Sequence, residues 1–313
     1  MSFLLLSSGD LIADRRAEYA EAFLPDHPAT AAEIYQQALE LRPDWVAGWF
    51  RLGEIRMKAD LPDAAGAFQT ALRLDPRDRL GAALCLDLLR GRSLADSMPS
   101  AFVETLFDQY AAGFEDALVD RLDYRAPQLL AEGLDERFGR TLDLGCGTGL
   151  MAVHLRARCD WLEGWDISAE MLREAAAKGL YDRLEKADLS ALTHQADAWD
   201  LITAADVFAY LGALEQIVGW VAAALRPGGR FAFTVEAHDG DEAYVLHPSR
   251  RFAHASAHLS DLLDRAGFDA RLTPAILRQD RGQPIHGLVV QATRRSRPPA
   301  DDGRRGDVAR AEA

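Results

Sequence analysis

The chain has 313 residues, 49% hydrophobic and 27% charged, the balance of an ordinary soluble globular protein with room for about two domains. Its formal net charge of −14 argues against the phosphate backbone of DNA or RNA as the main partner, because such binding rests on clustered Lys and Arg. Three cysteines, Cys85, Cys146 and Cys159, without a C-x-x-C pair, argue against a disulfide framework or a zinc cluster and point to a reducing, cytoplasmic setting.

In chain order, the apolar run Phe3–Leu6 is too short for a signal-peptide core, and no other stretch approaches a membrane span, so no membrane partner is expected. A helical pattern covers Asp10 to Phe23. Two stretches then repeat each other: Ala31, Tyr35, Ala38 and Pro43 recur as Ala64, Phe68, Ala71 and Pro76, at an offset of 33 residues. Trp49, Leu52 and Gly53 stand before the second copy. Small residues allow two helices to approach, large ones fill the gap, and the prolines end helices. The pattern resembles the tetratricopeptide repeat, whose period is about 34 residues. Only one repeat is complete, and a helix over Leu80 to Leu89 caps the stack. The resemblance implies a small all-α helical-repeat arm over residues 1–92. Such an arm either binds a protein partner or serves packing and self-association, and the low repeat number favours packing.

Residues 93–100 read as a linker, and amphipathic helical stretches follow, Phe102 to Glu115, Leu118 to Tyr124 and Ala126 to Leu134. Then comes Thr-Leu-Asp143-Leu-Gly145-Cys146-Gly147-Thr-Gly149-Leu150, a short strand, a glycine turn and a helix start. The turn lets a ligand approach bare main chain, and the helix start offers unpaired N–H groups and a positive dipole end. The spacing is G-x-G-x-G; Leu150 stands where the dinucleotide fingerprint needs its third glycine. Asp143, inside the strand end, suits a ligand carrying an amine better than a phosphate. Asp166 lies 21 residues past Gly145, at the end of a second strand, where a carboxylate can take the hydroxyls of a ribose. Ile167 and Met171 offer an adenine an apolar face, Asp188 can accept from its exocyclic amine, and Leu189 adds a backbone N–H. Strands alternate with helices through the rest: Trp161–Trp165, Leu184–Ala187, Trp199–Ala204, Arg230–Val235, Phe268–Leu272 and Gly287–Ala292. With the first strand this predicts a doubly wound, mostly parallel, seven-stranded sheet, whose ligands sit at the carboxyl ends of the strands.

The glycine string resembles the first motif of the class I S-adenosylmethionine-dependent methyltransferases. The whole arrangement is similar to predicted methyltransferases that carry tetratricopeptide repeats at their N-terminus. That resemblance implies a Rossmann-like catalytic domain over 101–293 with a helical lid over 101–138, and S-adenosylmethionine as donor with S-adenosylhomocysteine as product. It places Tyr110 over the donor's methionine end and the carbonyls of Ala204 and Ala205 near its ammonium. Phe107 and Phe114 read as core. Leu225-Arg-Pro-Gly-Gly-Arg is a structural turn, and the absence of Asn-Pro-Pro-Tyr removes the mark of amino-methylating DNA enzymes.

No catalytic residue is defined, which methyl transfer tolerates, because orientation and exclusion of water do most of the work. Four histidines, His238, His247, His254 and His258, fall late in the chain; His238 and His254 are the candidates for a base or, with Arg250 or Arg251, for holding an acceptor carboxylate. Their spacing fits no metal motif. A small-molecule acceptor is expected, against a scaffold that binds the donor without turnover or a protein methyltransferase recruiting through its arm. Residues 294–313 are polar and Pro/Gly-containing, the composition of a disordered tail.

Overall fold

The computed structural model describes residues 7–91, 97–115, 122–193, 196, 198–280 and 282–296. Residues 93–96 of the expected linker, residues 116–121, which include the start of the helical stretch expected over Leu118 to Tyr124, and the tail beyond 296 lie outside the described residues.

Five helices come first: α1 (Leu11–Phe23), α2 (Pro28–Leu41), α3 (Val46–Lys58), α4 (Ala64–Leu74) and α5 (Ala82–Arg90). Asp10 caps α1 by accepting from the N–H groups of Ile12 and Ala13. Helices α2 and α4 each stop two residues before their proline, because the residue ahead of proline disfavours the helical region. Each helix packs on its chain neighbour. Between α3 and α4 the fit is close: a Cβ on Gly53 would lie 2.7 Å from the Phe68 ring. Ala31, Tyr35, Ala38 and Leu52 share one buried cluster, and Phe68 and Ala71 share the next.

Helices α6 (Ser100–Tyr110) and α7 (Ala126–Ala131) lead to the sheet. Its elements are β1 (Phe138–Leu144), α8 (Leu150–Leu155), β2 (Cys159–Asp166), α9 (Ala169–Ala177), β3 (Arg183–Lys186), β4 (Trp199–Ala204), α10 (Glu215–Ala224), β5 (Leu225–His238), β6 (Tyr244–Leu246), β7 (Phe252–Ala255), α11 (Ser256–Arg265), β8 (Phe268–Asp280) and β9 (Gln283–Arg294). The strand order is β3-β2-β1-β4-β5-β7-β6, and β9 lies against both β5 and β8. Pairs along the path from β3 to β7 are parallel, while β6–β7, β5–β9 and β8–β9 are antiparallel.

The fold is therefore the expected doubly wound, mostly parallel sheet, but with nine strands among the described residues rather than seven. The two additional strands, β6 and β7, have three and four residues; all four of β7 are buried, so neither shows the alternation that marks a strand in sequence. Strand β7 pairs with β5 over Glu236–His238, opposite β9 and beyond Phe233, where the pairing of β4 with β5 ends. The Arg226–Gly229 segment is not a turn before β5 but an irregularity within its start: Leu225 pairs with Trp199 and Arg230 with Leu201. The strand order reverses between β1 and β4, so a crevice opens at their carboxyl ends. Among the described residues no helix is long and apolar enough to cross a membrane.

Candidate active site

The crevice starts at the turn after β1. Gly145, Gly147 and Gly149 have φ of +61°, +54° and +88°, the left-handed region that a side chain makes costly. The glycines do different work. A Cβ at Gly145 would meet Val207 at 2.5 Å, so that position is fixed by packing. At Gly147 nothing stands nearer than Phe114, 3.9 Å away, so the bare main chain there faces open space. Helix α8 has six residues, so the dipole expected at its start is short.

Behind the turn, Asp143 is 1% exposed. Tyr181 donates to its Oδ2 at 2.7 Å and Thr203 to its Oδ1 at 2.8 Å. Burial pushes its carboxyl up to about 6, against the pull of those two hydrogen bonds. It borders the crevice with one further lone pair on each oxygen. Asp166, at the end of β2, accepts from the Gly147 N–H and the Ser168 N–H, both at 2.8 Å. Burial raises its carboxyl too, opposed by backbone N–H groups. The carboxylate thus holds the glycine turn in place while bordering the same space.

A lid closes this end. Asp108, on α6, accepts from the Ser168 hydroxyl at 2.6 Å and from the Glu170 N–H at 3.4 Å, bonding the start of α9 from another element. Glu115 takes the Thr148 hydroxyl at 2.5 Å and pairs with Lys178, tying the lid to the glycine turn. Glu104 pairs with Lys186. These acids read in sequence as the polar side of a helix, and partners 33 to 82 residues away left no local trace.

At the end of β4 the chain turns through Asp206, which adopts φ of +59°. Arg278 donates to both of its oxygens at 2.8 Å and bonds Glu236 as well; Arg251 reaches Asp206 at 3.2 Å and Glu236 at 3.4 Å. Arg251 also donates to the Tyr210 hydroxyl at 3.0 Å. Two carboxylates and two guanidinium groups thus balance in a largely buried cluster. A register shift between Ile276 and Arg278 turns Arg278 inward, directly after the buried Leu277. The one sequence signal for it was a charge closing the apolar run Ala275-Ile-Leu277.

The crevice continues as one cavity of about 1200 Å³. Of the residues expected around a donor, Tyr110, Asp143, Gly145, Cys146, Gly147, Asp166, Ile167, Asp188, Leu189 and Ala205 border it. Two do not. Met171 is 1% exposed, packed inside the fold rather than on the crevice, and Ala204 is fully buried in β4. The Ala205 carbonyl accepts from the Tyr124 hydroxyl at 3.3 Å. Asp188 takes the Ser190 N–H and hydroxyl. Phe107 and Phe114, read as core, line the cavity instead; Phe107 packs edge-on against Tyr210, centroids 5.2 Å apart.

Neither histidine candidate belongs to the site. His254 is 3% exposed on β7, its Nε2 at 2.9 Å from the Leu211 carbonyl, and burial lowers its pKa to about 4. It holds a loop and stays neutral near pH 7. His238 accepts the Gly240 N–H through Nδ1 at 3.0 Å and does not border the cavity.

The comparisons agree with this geometry. Residues 114–273, half of the chain, match a family described as a methyltransferase domain. The malonyl-[acyl-carrier protein] O-methyltransferase of Enterobacter lignolyticus is 30% identical over 148 residues, 47% of this chain and 58% of that protein. The demethylmenaquinone methyltransferase of Thermus thermophilus is 38% identical over 97 residues, 29% of this chain and 44% of that protein. The chain thus spans about half the length of the curated relatives it matches. A 1,6-didemethyltoxoflavin-N1-methyltransferase from Burkholderia thailandensis, solved with its substrate and S-adenosylhomocysteine bound, superposes with a TM-score of 0.51 at 20% identity. It covers 63% of this chain and 89% of its own, a likeness of fold. With the glycine turn, the acids on the strand ends and the family match together, the chain belongs to the class I S-adenosylmethionine-dependent methyltransferases.

Proposed function

We propose that this protein transfers the methyl group of S-adenosylmethionine to a small-molecule acceptor. One observation carries the reading: the open main chain at Gly147 lies against Asp166, in the cavity that Asp143, Ile167, Asp188 and Leu189 also border. Those groups match the donor's parts. Asp143 faces the ammonium of the methionine end, Asp166 takes the ribose hydroxyls on its remaining lone pairs, and Ile167 and Leu189 flank the adenine, with Asp188 accepting from its amine. When bound, the donor supplies a methyl on a sulfonium, ready for in-line displacement. The protein orients and dries the site. Tyr124 caps the Ala205 carbonyl, Phe107 and Phe114 form an apolar cover, and the cluster around Asp206 fixes the wall beside the acceptor. With His238 and His254 elsewhere, an acceptor that is already ionised or carries a free lone pair needs no base from them.

The division into an arm over 1–92 and a catalytic unit over 101–293 belongs to the same reading, and the Gly53–Phe68 contact supports a short tetratricopeptide-like stack. The test uses methyl-labelled S-adenosylmethionine with fractionated small-molecule extract. A labelled product that disappears with Gly147→Arg supports the assignment; tight donor binding with no product from any fraction contradicts it.

A further inference from the structure

The cavity is larger than the donor requires. Drug-sized ligands occupy about 300–1,000 Å³, and this one encloses about 1200 Å³. Its two ends differ in chemistry. The acids Asp143, Asp166 and Asp188 all stand at the end formed by the strand termini, whereas Met57 of α3, Cys85 and Leu88 of α5, Met98, Phe102 and Leu106 make most of the other, where the charged side chains are Glu54, which pairs with Arg51, Lys58, and Arg250, which lies over the Phe102 ring. The second end is therefore walled by the N-terminal helices and the outer part of the lid, not by the sheet. Further contacts bind these pieces together. Leu84 of α5 shares a buried cluster with Met98, Phe102, Tyr210 and Phe252, and Met98 donates its N–H to the Tyr210 carbonyl at 3.1 Å. The arm is thus sealed against the catalytic unit on this face, and its residues there are unavailable to a protein partner.

We infer that the N-terminal helices build the far half of the acceptor chamber, and that the acceptor is an elongated, mainly apolar molecule whose methyl-accepting atom lies at the Tyr124–Asp206 end. This rests on the donor occupying the glycine turn. The continuity of one cavity from that turn to α3 and α5 identifies the occupant as the acceptor, since the three acids that would hold the donor all lie at the strand termini and the far end is mostly apolar. A small or highly charged acceptor would leave the sulfur and hydrocarbon walls unused, and the few charged side chains there, Glu54, Lys58 and Arg250, leave room for no more than a polar end group.

The experiment titrates 1-anilinonaphthalene-8-sulfonate into the full chain, with and without S-adenosylhomocysteine, and displaces it with phenol, 4-butylphenol and 4-octylphenol. One dye is expected per chain, bound together with S-adenosylhomocysteine. Displacement should strengthen with chain length, by up to about fourfold per CH₂. Leu88→Trp and Met57→Trp, which fill the far end, should each weaken dye binding at least about tenfold while the affinity for S-adenosylhomocysteine holds. A response independent of chain length, or dye affinity unchanged in both variants, overturns the inference. Dye expelled by S-adenosylhomocysteine also overturns it, because the two would then share the donor's end. Failure of S-adenosylhomocysteine to bind at all would count against the donor reading, and the dye series without it still decides the chamber.

Discussion

Asp143 shows how one buried carboxylate can serve both fold and ligand. Held at 1% exposure by Tyr181 and Thr203, it has a folded pKa of about 6 against an ordinary 3.8. A carboxyl raised on folding stabilises the native state most when protonated; that contribution is lost as pH rises from about 4 through about 6. Asp143→Asn keeps both hydrogen bonds, accepting from Tyr181 through its oxygen and donating to the Thr203 hydroxyl through its nitrogen. Thermal melts should therefore show the variant gaining on the wild type between pH 5 and pH 7.5. The full effect of the shift is about 2–3 kcal/mol. On the proposed donor pose the same variant should bind S-adenosylhomocysteine more weakly, because it lacks the charge assigned to the ammonium. Parallel stability curves for the two proteins would contradict the burial of an ionisable group here. At this scale the sequence was legible where geometry is local. The alternating glycines demanded positive φ, and Asp166, expected at the end of the second strand, stands there against the glycine turn. Thr203 was out of reach because it meets Asp143 through the pairing of β1 with β4, in which the two are register partners. His254 misled for a related reason: its burial depends on β7, a strand too short to recognise.

Among the elements, the lid carries the most consequence for so few residues. Helix α6 leans on α9 through Asp108, on β3 through Glu104, and the segment after it on the glycine turn through Glu115. The three contacts are not equivalent. Lys186 is half exposed, and an exposed pair contributes at most about 1 kcal/mol. Asp108 bonds Ser168, the cap of the helix that follows the cavity-bordering Asp166, so its loss loosens lid and α9 together. Asp108→Ala is expected to raise the dissociation constant of S-adenosylhomocysteine by about tenfold, the equivalent of about 1.4 kcal/mol. Glu104→Ala should leave it nearly unchanged. Equal effects from the two, measured by calorimetric titration, would contradict a lid anchored at α9. Helix α6 ends at Tyr110 and α7 at Ala131, short of the Glu115 and Leu134 expected, whereas the start of α9 was readable from sequence within a residue through its Ser168 cap, which obeys local rules. Which acid bonds which distant helix was not, since a polar helix face looks alike whether it meets water or a partner.

Across the whole molecule, two ties hold the site together. One is the cavity shared between the sheet and the N-terminal helices. The other is the cluster in which Arg251 and Arg278 join Asp206 and Glu236, linking the end of β4, β5, the segment before β7 and β8. Removing one partner of such a cluster strands a buried opposite charge, which is worse than never having built it. Arg278→Met should lower stability to chemical denaturation by about 3–5 kcal/mol, an unusually large value for one substitution. A loss below about 1 kcal/mol would mean the two acids find water when Arg278 is gone. The alternation of strand and helix revealed the sheet's class and the place of its crevice, but the strand order and the two added strands depend on pairing between distant segments.

The central claim is that the open main chain at Gly147 receives the methyl donor. Gly147 is the place to test it, because a Cβ there meets no protein atom nearer than 3.9 Å, whereas one at Gly145 would strike Val207; the φ of +54° makes any side chain costly, so the variant's melt is read beside its binding. Calorimetric titration of S-adenosylhomocysteine into wild type and Gly147→Arg is the direct measurement. One site with micromolar affinity in the wild type, weakened at least about hundredfold in a variant that still melts cooperatively, is the expected result. Equal affinity in both proteins, or none in the wild type, would contradict it.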